Sequence, residues 1–235
     1  MALDALTSSQ SVSHSALSEQ VVDRLRRLII TGELSAGTHL VETRISEALM
    51  VSRGPVRDAL RQLESEGLVG ARRGRTYVIG LTQDDIDELY HLRQLIEVEA
   101  LRLMIENPER DTHPAHAALK KMLAAVEQRD TAAYAHYDLE FHTALYQAAN
   151  LRRLTDVWLN YRPTFSAILE ITNAEDPDLN PSYSDHVELL EAAESGDFEN
   201  ARKILTMHLA GSHARMRSAH QRRTETMAGE PRAET

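Results

Sequence analysis

Two parts, both mainly α, are predicted: a small helical head closed by a basic hairpin, then an antiparallel bundle of about six helices. Three observations carry this expectation. Apolar residues recur at helical spacing through most of the 235-residue chain. Extended stretches stand out in one place, on either side of Arg72-Arg73-Gly74-Arg75. Beyond Gly80, helical stretches are separated by short Pro, Gly, Asn and Asp signals, the connections of a bundle.

Taken in order, residues 1–13 are small and polar without a period and are expected to form a disordered lead-in. Leu17–Thr31 places Val21, Val22, Leu25, Leu28 and Ile29 on one helix face and stops at Gly32, and Gly37 bends the chain toward Val41. Ile45, Leu49 and Val51 give the apolar side of a short helix, with a turn at Met50-Val51. Ser52 is placed to cap the next helix, and Pro55 costs little in its first turn, where backbone N–H groups have no helical partner. Val56, Ala59, Leu60 and Leu63 form the buried stripe of that helix, while Arg53, Arg57 and Arg61 recur every fourth residue on another face. Gly67 ends it. Leu68-Val69 then leads into the basic turn, and Thr76-Tyr77-Val78-Ile79 runs on as a second extended piece.

A helix with one buried and one arginine face, entered through a tight turn and followed by a basic hairpin, is a winged helix-turn-helix, here residues 14–80. Its arginines can fork onto guanine edges or grip phosphates. The plainer alternative is an amphipathic helix with a solvated arginine face beside an ordinary hairpin.

Thr82-Gln83-Asp84-Asp85 reads as a helix start with acids in its first turn, which suits the helix dipole, so the boundary is placed at Gly80-Leu81. Helices are expected over about 83–106, 115–128, 131–149, 151–173, 182–195 and 197–219. The bundle occupies residues 81–222, with a core of stripes such as Tyr134, Phe141, Leu145 and Ala148, and residues 223–235 are a loose tail.

Composition excludes several classes. Cysteine is absent, so disulfides and thiolate metal sites are ruled out and any metal falls to His, Asp or Glu. No apolar stretch is long enough for a bilayer and the N-terminus lacks a signal peptide's pattern, so no membrane partner and a cytoplasmic location are expected. The net charge of −10 divides unevenly. His14–Gly80 has 10 basic against 8 acidic residues, whereas residues 81–235 have 16 against 27. The acid sits in the second part, where it repels DNA and helps orient the head toward it.

Inside the bundle, four polar residues lie on inward faces. Asp138 and His142 are one turn apart beside Tyr134, Phe141 and Leu145. His186 shares a face with Tyr183, Val187, Leu190 and Ala193, and His208 with Ala201, Ile204, Leu205 and Ser212. One carboxylate and three imidazoles suit a mid-to-late first-row divalent ion with positions left for water or ligand. The alternative for each is a hydrogen-bonded core residue. His39, His113, His213 and His220 are expected on solvated faces.

Arg93 lies on the stripe of Ile86, Leu89, Tyr90, Ile96, Ala100 and Leu103. A buried guanidinium must face an acid, either a core carboxylate or that of a small effector reaching the metal. Arg162, near Trp158 and Phe165, ranks below it because Pro163 distorts its turn. An enzyme is not expected: Glu88–His91 is an unpaired Glu-x-x-His off the inward stripe, and no general base stands beside the cluster.

Ile45–Val69, with SRGPVRDALRQLESEGLV at its centre, resembles the DNA-binding signature of GntR-type transcriptional regulators, a likeness that extends over roughly Leu17–Gly80. The resemblance implies contact with operator DNA by Ser52, Arg53, Gly54 and Arg57 on the recognition helix and by Arg72, Arg73 and Gly74 in the wing. Many relatives carry Thr where this chain has Gly54, which leaves a backbone amide in place of a hydroxyl. DLEFH at 138–142, DHVELLEA from Asp185 and NARKILTMHL around His208 are similar to the effector domain of the FadR-like, or FCD, branch. That likeness implies metal ligands at Asp138, His142, His186 and His208, zinc first with nickel, manganese or iron as alternatives, and an effector-binding arginine at Arg93. The function implied is a homodimeric repressor that binds a palindromic operator and senses a small organic acid. A metal-free bundle serving dimerisation alone is the other reading.

Overall fold

The computed structural model describes residues 9–229. The chain divides into two compact units, Met1–Leu81 and Thr82–Thr235. In the first, α1 (Ser9–Ile30) packs on α3 (Arg53–Ser65), with α2 (Glu42–Leu49) against α3. Val21, Val22, Leu25 and Ile29 of α1 meet the buried stripe Val56, Ala59, Leu60 and Leu63 of α3. α1 starts inside the segment expected to be disordered, since no Gly or Pro interrupts the run from Ser9. The rest of that segment, residues 1–8, lies outside the described residues.

Met50 makes the turn between α2 and α3 in the left-handed conformation, with φ of 53°. Ser52 holds the N-cap position of α3 with extended backbone, but its side chain makes no capping bond. The expected cap fails for a local reason. A capping hydroxyl accepts from the second or third amide of the helix, and the third position is Pro55, which has no N–H.

The wing pairs β2 (Val69–Arg72) with β3 (Arg75–Val78), and β1 (His39–Leu40) adds to the far side of β3, giving the order β1-β3-β2. Arg72 pairs with Arg75 across a two-residue turn in which Arg73 and Gly74 have φ of 53° and 72°. Two successive positive φ values match the right-handed twist of the strands, and glycine takes the second without steric cost. At the base of the head, buried Arg26 donates from Nε and Nη2 to Glu66 at 2.8 and 2.7 Å, tying α1 to the end of α3.

The second unit comprises α4 (Gln83–Glu106), α5 (His113–Gln128), α6 (Thr131–Ala148), α7 (Arg152–Ala174), α8 (Asn180–Glu194) and α9 (Phe198–Gly229). α6 packs between α5 and α7, and α9 lies against α4 and α8. α7 continues through Pro163, and α9 runs to Gly229 through much of the expected loose tail, whose last residues, 230–235, lie outside the described part. His213, expected to be solvated, instead bonds Asp87 of α4 at 2.7 Å and stacks on Tyr90. The close packing of α9 on α4 turns that face of α9 inward.

α4 opens with a capping box: Thr82 Oγ1 accepts from the amide of Asp85, and the Asp85 carboxylate accepts from that of Thr82 at 2.8 Å. Thr82→Ala is expected to cost about 0.5–2 kcal/mol. Urea unfolding of the bundle checks it, and a change below the low end would show that water replaces the cap without loss.

Candidate functional site

The sequence-predicted DNA-facing residues occupy one unit. Ser52, Arg53 and Arg57 are exposed on the first turns of α3, Gly54 is half-buried, and Arg72, Arg73 and Gly74 are exposed at the wing tip. Arg53 and Arg57 make no ion pair among the described residues, whereas Arg61 lies 3.8 Å from Asp58. The first two guanidiniums are therefore uncommitted, and the third is partly neutralised within its own helix.

In the bundle, Asp138, His142, His186 and His208 come together. All four are buried, and one ligand atom from each lies within 4.8 Å of the others. Two helical repeats bring this about: Asp138 and His142 are one turn apart on α6, and α8 and α9 each turn one imidazole toward that face. His186 Nε2 lies 3.3 Å from Asp138 Oδ2 and 3.3 Å from His142 Nε2, and His142 Nε2 lies 3.7 Å from Asp138 Oδ1.

The outer ring nitrogens decide the tautomers. His186 Nδ1 lies 2.6 Å from the carbonyl oxygen of Ser182, which can only accept, so this nitrogen carries the proton. His142 Nδ1 lies 2.6 Å from Glu97 Oε2. Burial acts to raise the Glu97 carboxyl, but Arg93 and His142 outweigh it and hold it down at about 2; a carboxylate oxygen can only accept, so a proton on His142 Nδ1 suits this contact, which meets in distance but not in hydrogen-bond angle. Both Nε2 atoms then present lone pairs across 3.3 Å, and neither can donate to the other. A cation shared between them removes that opposition.

Other features fit the same group. Asp138 Oδ1 is buried without a hydrogen-bond partner. Although burial opposes it, the Asp138 carboxyl is held well below the usual range by its neighbours His186, His142 and the Arg93 guanidinium. Burial pushes the imidazoles the other way, lowering His142, and lowering His208 to about 4 with help from neighbouring His186. The result is an ionised Asp138 beside His142 and His208 imidazoles that burial keeps neutral, the protonation states of metal ligands. His208 is held from outside by Asp185 Oδ2, 3.4 Å from its Nδ1.

Arg93 is buried, and its Nε donates to Glu97 Oε1 at 2.5 Å. The core carboxylate is therefore present, while Arg93 Nη2 has no partner. Its guanidinium carbon sits 4.9 Å from the Phe165 ring centre and 5.6 Å from that of Trp158. Arg162 is half-buried with its Nε unpartnered.

Glu97 was not anticipated. The buried residues of α4 are Ile86, Tyr90, Arg93, Glu97, Ala100, Leu101 and Met104, with Leu89, Ile96 and Leu103 half-buried, so the expected stripe holds along its centre and shifts at one edge, toward Glu97, Leu101 and Met104. The signal was available in the spacing: Arg93 needs an acid, and Glu97 is one turn along the same helix.

A family model described as "Bacterial regulatory proteins, gntR family" matches residues 17–79, and one described as "FCD domain" matches residues 88–211. The chain is 28% identical over 159 residues to a gluconate operon transcriptional repressor of Bacillus licheniformis, covering 67% of this chain and 65% of that one, just under two thirds of its length. It is 29% identical over 170 residues to the gluconate operon transcriptional repressor of Bacillus subtilis (strain 168), covering 71% of this chain and 69% of that one. Among solved structures, a transcriptional regulator GntR from Rhodococcus sp. RHA1 matches with a TM-score of 0.62 and 27% identity, over 85% of this chain and 96% of that one. These relatives are transcriptional regulators, not enzymes. Among the described residues no helix is long and apolar enough to cross a membrane. The two family matches fall one on each compact unit, the winged head and the helical bundle, and the chain belongs to the GntR family of bacterial regulatory proteins, with an FCD domain as its second unit.

Proposed function

We propose that the protein is a homodimeric, ligand-responsive repressor whose bundle holds one divalent metal ion at Asp138, His142, His186 and His208 and senses a small carboxylic acid there. The observation that carries this reading is the convergence of four buried ligand atoms, with His142 Nε2 and His186 Nε2 3.3 Å apart beside a carboxylate oxygen that has no hydrogen-bond partner. Zinc fits the donor set best, with nickel, manganese or iron as alternatives. When bound, the ion would supply a Lewis-acidic centre for an anionic oxygen. Arg93, held by Glu97 through Nε, keeps Nη2 for the effector carboxylate. The repressors named for gluconate operons make hydroxy acids the first effectors to try.

In the head, Ser52, Arg53, Gly54 and Arg57 read the operator from α3, and Arg72, Arg73 and Gly74 grip it from the wing. Two heads on a two-fold symmetric site are required because one recognition helix reads too few bases alone. Linkage then makes the operator change effector affinity by the same factor as the effector changes operator affinity.

Metal-stripped protein is expected to gain about 2.7 kcal/mol of bundle stability at zinc concentrations near 100 times the dissociation constant, and about 4.1 at 1,000 times. The single tryptophan, Trp158, has its ring 6.5 Å from that of His142, so its fluorescence follows the bundle. Gluconate and other carboxylic acids are then titrated into the zinc-loaded protein with and without operator. Thermal unfolding unmoved by zinc, nickel, manganese and iron alike would leave the bundle as a metal-free dimerisation unit.

A further inference from the structure

Glu97 touches both halves of the proposed site. Its Oε1 accepts from Arg93 Nε at 2.5 Å and its Oε2 lies 2.6 Å from His142 Nδ1, with the carboxylate only 2% exposed. Each oxygen thus faces a separate nitrogen, the first through a hydrogen bond and the second at ion-pair distance without hydrogen-bond angle. A carboxylate can satisfy both, because it has no proton of its own and accepts at both ends.

We propose that Glu97 is a positioning residue of the metal site, holding His142 in the tautomer that leaves Nε2 free for the ion and holding Arg93 so that Nη2 faces the ligand. The inference rests on the metal reading above and extends it by one residue. His142 Nδ1 meets no other acceptor among the described residues, so the lone pair on Nε2 depends on this contact. The proton on His186 is fixed instead by a backbone carbonyl, which no side-chain substitution removes. His142 and His208, whose Nδ1 lies 3.4 Å from Asp185 Oδ2, are therefore the ligands with a side chain at the outer nitrogen, and the His142 contact is the shorter and more buried.

Glu97→Gln keeps the shape and breaks the symmetry of acceptance. The amide oxygen can serve one donor, and the amide NH2 then faces the other. Turned toward His142, that NH2 favours a lone pair on Nδ1 and a proton on Nε2, which removes the metal-binding lone pair. A general loosening of the site would leave the His142 proton on Nδ1, so the tautomer separates loss of the acceptor from loss of packing.

The experiment measures zinc affinity by competition with a chromogenic chelator on full-length wild type and Glu97→Gln, and records 15N spectra of labelled histidine in the metal-free proteins. Glu97→Gln is expected to bind zinc about 10- to 100-fold more weakly, the usual consequence of losing an outer partner of a ligating histidine. His142 should carry its proton on Nδ1 in wild type and on Nε2 in Glu97→Gln. Unchanged zinc affinity in Glu97→Gln, or weakening with the His142 proton still on Nδ1, overturns the role given to Glu97 and leaves the metal reading standing. A wild-type protein that binds no zinc overturns both. Should Glu97→Gln fail to fold, the wild-type spectrum still decides, because a proton on His142 Nε2 there is incompatible with the proposal.

Discussion

Substituting Arg53 and Arg57 together by alanine is expected to weaken operator binding by about 1–3 kcal/mol for each guanidinium that forks onto a base edge. Both side chains are exposed on the first turns of α3, and neither is committed to an ion pair among the described residues. The buried stripe of the same helix lies on a different face, so the substitutions leave the core of the head intact. Specificity should relax along with affinity, because the lost contacts are those that discriminate bases. Arg72 and Arg73 should differ: losing one that grips a phosphate lowers the salt slope by roughly one and weakens all sequences alike. Fluorescence anisotropy on DNA recovered by selection from random sequences, repeated across salt concentrations, measures both effects. An unchanged affinity and slope in the double variant would mean that α3 is not the reading helix.

Arg26→Ala is expected to destabilise the head by about 3–5 kcal/mol, because it leaves a buried charge without its partner. Arg26 is 2% exposed, and the side chain of Glu66 is 4% exposed. Two parallel hydrogen bonds join them across 40 residues of sequence, from the C-terminal part of α1 to the C-cap of α3. Asp23 adds a third bond to Arg26 at 2.5 Å but is largely exposed and contributes less. Replacing both partners, Arg26→Met with Glu66→Leu, should restore most of the loss, since apolar side chains of similar size do not carry an unpaired charge. Urea unfolding followed by circular dichroism and by Trp158 fluorescence separates the units, for the tryptophan belongs to the bundle. A loss below about 1 kcal/mol in the dichroism transition would place this pair with ordinary surface bridges.

Much of the candidate site was legible because it is written within single helices. The four-residue step from Asp138 to His142 and the apolar neighbours of His186 and His208 identify inward faces without knowledge of any other helix. The wing was legible for a similar reason, since Arg73-Gly74 between two extended pieces is a turn signal that needs no tertiary context. Ser52 misled because its residue type suits a cap, while the partner amide was missing three residues later at Pro55. The ends of α1 and α9 misled because polar stretches without Gly or Pro read as coil by composition, although nothing in them breaks a helix.

Sequence alone determined the two-part mainly α architecture, the arginine row, the basic wing and the inward placement of three imidazoles and one carboxylate, since each follows from periodicity and turn chemistry over a few residues. Tertiary structure alone decided how the helices are turned about their axes. A rotation of α4 by less than one residue keeps Ile86, Tyr90, Arg93 and Ala100 buried and exchanges Ile96 for Glu97 at the edge of the stripe, and only packing against the neighbouring helices selects between them. That choice places a carboxylate between Arg93 and His142, and with it the tautomer that aims the His142 lone pair at its neighbours. Hydrogen-bond partners drawn from different helices depend on distances of a few tenths of an ångström, which no local pattern in the chain encodes.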